Sequence, residues 1–144
     1  MLIITPDLLT YIEGIDIQHM NLIDCLNVFE AIEMIPDMEE KKSKIENAFD
    51  FLSSYISEHF GYEEQLMKKN NYPNYRGHKE LHQRYIFEVD RLKTKYDKNG
   101  INSALTQSID EMTSNWSRHI ETSDKTLGLY ILCKRQYAQY AYHK

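Results

Sequence analysis

The stretch HFGYEEQLMKKNNYPNYRGHKELH, beginning at residue 59, constrains this chain more than any other. His59 and Glu63 stand four residues apart before a helix-breaking Asn-Asn and Tyr-Pro, and His78 and His82 stand four apart after it. A four-residue step advances an α-helix by about 400°, so each pair lies on one face, a turn apart. Those faces are the apolar ones. Ile45, Ala48, Phe49, Leu52, Tyr55 and Ile56 run into His59, Glu63 and Leu66 at helical spacing, and Leu81, Tyr85, Val89, Leu92 and Tyr96 continue the stripe of His78 and His82. The pattern places imidazoles and a carboxylate where a helix buries leucine.

The rest of the chain supplies partners for these two helices. Asp16 reads as an N-cap for a first helix carrying Leu22, Ile23, Leu26, Phe29 and Ile32, which ends at Pro36. Residues 1–15 show little periodicity and read as an extended arm. A fourth helix carries Leu105, Ile109, Met112, Trp116, His119 and Ile120 and continues to about Asp124. The tyrosine-rich residues 125–144 read as a short helical tail packed across or along the rest, with docking to a partner as the alternative. Five glycines and three prolines in 144 residues lack the texture of a β-sandwich. The fold class is therefore all-α: an up-down-up-down four-helix bundle forming one domain over residues 1–144.

Charge excludes some functions. The net charge is −5 with scattered Lys and Arg, so the basic footprint of a nucleic-acid binder is missing. No apolar run approaches a membrane span, and the N-terminus has no basic region before its apolar residues, so a cytoplasmic protein is expected. The two cysteines, Cys25 and Cys133, read as reduced thiols.

In the predicted bundle His19, His59, Glu63, His78, His82, His119 and Asp124 share one end. Matching the helix lengths then requires the second helix to overhang the first. Each buried carboxylate or imidazole costs several kcal/mol unless partnered, on the order of the penalty for any buried polar group. Five histidines and two acids outnumber the partners they offer one another, and metal ions are the simplest remedy. A single buried histidine, such as His19 alone, is more often a satisfied core residue than a ligand; the joint pattern on four helices is what points to metal. His119 and Asp124 are five residues apart, which leaves their side chains about 140° apart on a regular helix, so a shared metal requires a widened turn. Glu64, Glu80 and Glu121 fall off the stripes and read as solvated charges, and His143 as a surface residue.

The runs GIDIQHMNL (14–22), HFGYEEQLM (59–67), HKELH (78–82) and HIETSD (119–124) resemble the hemerythrins, the single-domain bacterial members above all. That resemblance implies two iron ions with a bridging oxo or hydroxo group. His78, His82 and His119 would ligate one ion and His19 and His59 the other, with Glu63 and Asp124 bridging. It further implies reversible dioxygen binding (carriage, storage or local delivery), with the oxygen held as hydroperoxide on one iron. Nitric oxide, azide and other small anions would be further ligands, and Leu22, Phe60, Trp116 and Ile120 would wall the pocket. The sequence departs from the family in one place: Asn115 and Trp116 stand where hemerythrins have Trp and Leu, so an indole replaces a pocket leucine.

Other readings are open at this level. Binuclear phosphohydrolases use a His-Asp dipeptide, and none of the six histidines here precedes Asp, so hydrolysis is disfavoured and no enzymatic activity is expected. An oxygen, redox or NO sensor, or an iron-storage module, would use the same residues. Donor affinity alone also permits zinc or manganese.

Overall fold

The helices begin and end where the local chemistry allows. In the computed structural model, which describes residues 1–143, α1 spans Glu13–Ala31 and closes in a 3₁₀ turn at Ile32–Met34, just before Pro36. α2 (Met38–Lys69) starts on Asp37, whose carboxylate accepts the Glu40 N–H at 2.8 Å. α3 (Tyr75–Asn99) stops at Gly100, whose φ of 66° lies in the region that favours glycine. α4 (Ser103–His119) is capped by Asn102, which accepts the Leu105 N–H at 2.8 Å. Among the described residues there is no strand.

α1 packs on α2, α2 on α3, α3 on α4, and α4 returns to α1. Short connections make successive helices antiparallel, giving the expected up-down-up-down arrangement. At 32 residues against 19, α2 runs its first turns past the end of α1. One apolar cluster, including Phe29, Phe49, Leu52, Val89, Leu92 and Met112, fills most of the bundle. A second, of Ile12, Ile15, Met67, Tyr72, Leu127 and Ile131, caps one end. Along every helix the polar positions fall between these two clusters.

Three expectations need correction. α1 begins three residues before Asp16, which is therefore not its N-cap. Instead the Asp16 carboxylate accepts the Thr10 N–H (2.9 Å), the Thr10 hydroxyl (2.7 Å) and the Tyr11 N–H (3.0 Å), fixing the turn that Tyr11 makes at φ 60°. The arm therefore ends at Ile12 rather than at residue 15, and its last part is core: Leu8 and Ile12 are buried. Nor does the helical run of α4 end at Asp124. α4 passes through a π turn at Ile120–Asp124 directly into α5 (Lys125–Tyr142), which buries Leu127, Gly128 and Ile131. Gly128 is required there, because a Cβ would come within 2.5 Å of the Thr10 carbonyl oxygen. From Cys133 onward α5 is exposed. No described helix is long and apolar enough to cross a membrane.

Candidate metal centre

Each helix delivers its polar residues to one layer. His19 comes from the second turn of α1, His59 and Glu63 from the last third of α2, His78 and His82 from the start of α3, and His119 from the end of α4. Asp124 would face elsewhere on a regular helix. The π turn, with its i→i+5 pattern, swings it back toward His119, and its Oδ1 lies 2.9 Å from His119 Nε2. The widened turn inferred from the five-residue spacing is thus present.

The seven side chains sort around two points. Glu63 turns Oε1 to His59 Nε2 (3.2 Å) and His19 Nε2 (3.6 Å), and Oε2 to His82 Nε2 (3.0 Å) and His78 Nε2 (3.4 Å). Asp124 does the same, with Oδ2 3.0 Å from His19 and Oδ1 2.9 Å from His78. Donor atoms of Glu63, His78, His82, His119 and Asp124 form one group within 4.8 Å of each other, and those of His19, His59, Glu63 and Asp124 form another. The carboxylates belong to both.

All seven are buried, His119 the least at 4% exposed. Yet the five Nε2 atoms and all four carboxylate oxygens have no hydrogen-bond partner. Their approaches are short but misaligned, so they are charge contacts rather than hydrogen bonds. Leaving a buried polar atom unmade costs about 1–3 kcal/mol, and nine such atoms in one layer would be ruinous in a finished core. Nitrogen and oxygen lone pairs aimed at two shared points are instead what a pair of divalent or trivalent cations requires.

Proton affinities in the metal-free layer reflect the same crowding. Burial pushes the imidazoles down, and at His59 it prevails, leaving a pKa of about 4 despite Glu63 nearby. At His19 and His78 burial is outweighed by the facing carboxylates of Asp124 and Glu63, which hold both imidazoles up at about 9. Burial and mutual repulsion would raise Glu63, but the surrounding imidazoles hold it low; at Asp124 burial is overcome chiefly by His119.

Two residues orient the layer from behind. Gln18 Oε1 meets His59 Nδ1 at 2.9 Å, and Glu64 Oε1 meets His82 Nδ1 at 3.2 Å. Each fixes the tautomer that turns Nε2 inward. Glu64 is therefore not the solvated charge its off-stripe position suggests: its side chain is 21% exposed and also faces Lys79. Gln18 escaped sequence reasoning altogether, although a buried histidine that uses Nε2 always leaves Nδ1 needing an acceptor. Glu80 and Glu121 are exposed, as is His143.

The residues expected to wall a pocket divide. Leu22 and Trp116 line a narrow apolar cavity one turn from the layer, with Leu26, Leu52, Ile56, Tyr85, Val89 and Met112; its open volume of about 10 Å³ admits one molecule the size of water. Phe60 instead stacks on His82, ring centroids 3.9 Å apart and nearly parallel, while Ile120 is fully buried in the larger apolar cluster. Neither lines the cavity. A larger groove of about 670 Å³ between α1 and α2 is lined by Asn21, Cys25, Phe51 and Tyr55 among others, and contains none of the seven polar residues. Both cysteines are free, Cys25 buried and Cys133 exposed.

Comparison with known proteins agrees with this geometry. The family model for the hemerythrin HHE cation binding domain matches residues 10–130. Bacteriohemerythrin of Stenotrophomonas maltophilia (strain R551-3) is 25% identical over 126 residues, covering 87% of this chain and 78% of that protein. Bacteriohemerythrin of Pseudomonas paraeruginosa (strain DSM 24068 / PA7) is 28% identical over 90 residues, 62% of this chain and 56% of its own length. The Pseudomonas aeruginosa (strain LESB58) bacteriohemerythrin gives the same identity and coverage. With the family model covering most of its length, this chain belongs to the hemerythrin HHE cation binding domain family.

Proposed function

We propose that this chain is a one-domain protein that binds dioxygen reversibly, for carriage, storage or local delivery in the cytoplasm, at a non-haem di-iron centre. The observation that carries the reading is the layer of nine inward-facing, unpartnered donor atoms shared between two points. His78, His82 and His119 would hold one iron and His19 and His59 the other, with Glu63 and Asp124 spanning both. When bound, the iron pair supplies two electrons and a vacant coordination position to a small ligand. Five residues surround one point and four the other, which supports a small ligand being taken up beside His19 and His59, where the protein would supply fewer donors.

The protein's own residues then set how such a ligand is held. Gln18 and Glu64 keep His59 and His82 in the inward tautomer. Leu22 and Trp116, with the apolar lining beyond them, exclude water and slow the loss of a charged, reduced ligand. The Trp116 ring fills volume that a leucine would leave open, so it narrows entry. Trp116→Leu is expected to speed ligand binding and change the autoxidation rate, measured by stopped-flow absorption; identical rates would remove the gating role.

The test is visible absorption of reduced, iron-loaded protein, first without oxygen and then in air, with iron content measured on the same sample. A charge-transfer band that appears in air and disappears on oxygen removal supports carriage. Irreversible oxidation without that band would overturn it, and capture of a partner only by the oxidised form would favour sensing.

A further inference from the structure

Trp116 is the single tryptophan of the chain, and it is 3% exposed. Its Nε1 is buried without a hydrogen-bond partner. The indole meets the His19 imidazole edge-on, with centroids 5.6 Å apart and planes at 89°. It therefore abuts the four-donor side of the layer, where protein ligands are fewer. Its other neighbours in the cavity wall, such as Leu22, Ile56 and Met112, carry no oxygen or nitrogen to accept its hydrogen. The Tyr85 hydroxyl is engaged elsewhere, donating to the Asn115 carbonyl at 2.9 Å. His19 Nδ1 is also unpartnered, unlike Nδ1 of His59 and His82. With His19 Nε2 turned to a cation, its Nδ1 carries the hydrogen. With the Glu63 and Asp124 oxygens near His19 turned to the cations, this corner keeps two N–H donors and no free acceptor.

A surplus of donors in a dry wall matches a ligand that brings acceptor atoms and negative charge. We propose that Trp116 is a specificity-determining residue of the ligand pocket. Its Nε1–H donates to a small anion held beside His19, favouring anionic over neutral ligands of similar size. The assignment rests on the di-iron reading above and extends it to the ligand's charge.

The experiment compares wild type, Trp116→Phe and Trp116→Leu in the oxidised, iron-loaded form, with azide as the probe anion and iron counted on each sample. Trp116→Phe keeps an aromatic wall and removes the donor. Azide is expected to bind about tenfold more weakly to Trp116→Phe, the loss of one hydrogen bond. Nitric oxide binding to the reduced form should change by less than about twofold, as a neutral ligand makes little use of a donor. Ultraviolet resonance Raman of the lone indole in wild type reports its hydrogen bonding directly and needs no variant to fold. Its hydrogen-bond marker should shift when azide is added. An unmoved marker overturns the proposal whatever the affinities, and a moved marker with unchanged azide affinity in Trp116→Phe overturns the specificity role. If two irons are present and azide binding is unaltered, only this assignment falls; if no iron is held, the metal reading falls and this with it.

Discussion

Two regions of the bundle are equally buried and opposite in chemistry. Around Phe49 and Leu92, each 0% exposed, apolar side chains are satisfied by one another, and contact is all they require. One layer away, Glu63, His59, His82 and Asp124 are also 0% exposed, yet their donor atoms find no hydrogen-bond partner in the protein. The apolar region is complete as a polypeptide. The polar layer is complete only with something the chain does not encode, and the two apolar clusters on either side of it hold it dry. Stability should therefore depend on metal at one region and not at the other.

Metal removal gives the largest effect. Stripping the protein with a chelator is expected to lower its melting temperature by more than about 10 °C, since a ligand bound only to the native state stabilises it by mass action. Phe49→Ala should cost about 3–5 kcal/mol in both the loaded and stripped forms, because its cavity is remote from the layer. Equal melting with and without metal would erase the distinction. Next comes Glu63→Ala, which removes the oxygens shared by both points and should take iron content from two per chain to near zero by elemental analysis; retention of two would show that the carboxylate is not shared.

Smaller effects sharpen the contrast within the layer. Gln18→Ala and Glu64→Ala free one imidazole each to rotate and should weaken metal affinity about 10- to 100-fold, read by competition with a chelating dye. Glu80→Ala, on an exposed i,i+4 pair with Arg76, should leave it unchanged. The pH dependence is smallest and its sign is fixed. In the metal-free protein His19 and His78 hold protons up to about 9, because the carboxylates outweigh burial. Below that pH an incoming ion must displace those protons. Loading at pH 7 should therefore release protons into a weakly buffered solution, and apparent affinity should rise with pH and level off near 9. Proton uptake on loading would contradict this.

The sequence made the layer legible because its residues break the apolar stripes they sit on. His59, Glu63, His78 and His82 could be placed from helical spacing alone, and the awkward five-residue step from His119 to Asp124 announced the π turn. Residues acting across helices were less visible. Glu64 lies off the α2 stripe, and only the rotation of α2 against α3 brings it to His82. Asp16 looked like a cap because caps are judged from local sequence, whereas the helix start is set by burial of Ile12 and Ile15 under α5. The continuity of α4 into α5 was hidden because the extra residue in the π turn shifts the apolar stripe after Asp124, which imitates a break although no glycine or proline separates the two helices.

Diffraction from iron-loaded crystals at the iron absorption edge would locate any cations in the layer without a variant or a spectroscopic assignment. Two anomalous peaks are expected, one among Nε2 of His78, His82 and His119 and one beside Nε2 of His19 and His59, both flanked by Glu63 and Asp124. A layer with no peak, or with its imidazoles turned to other partners, would contradict it.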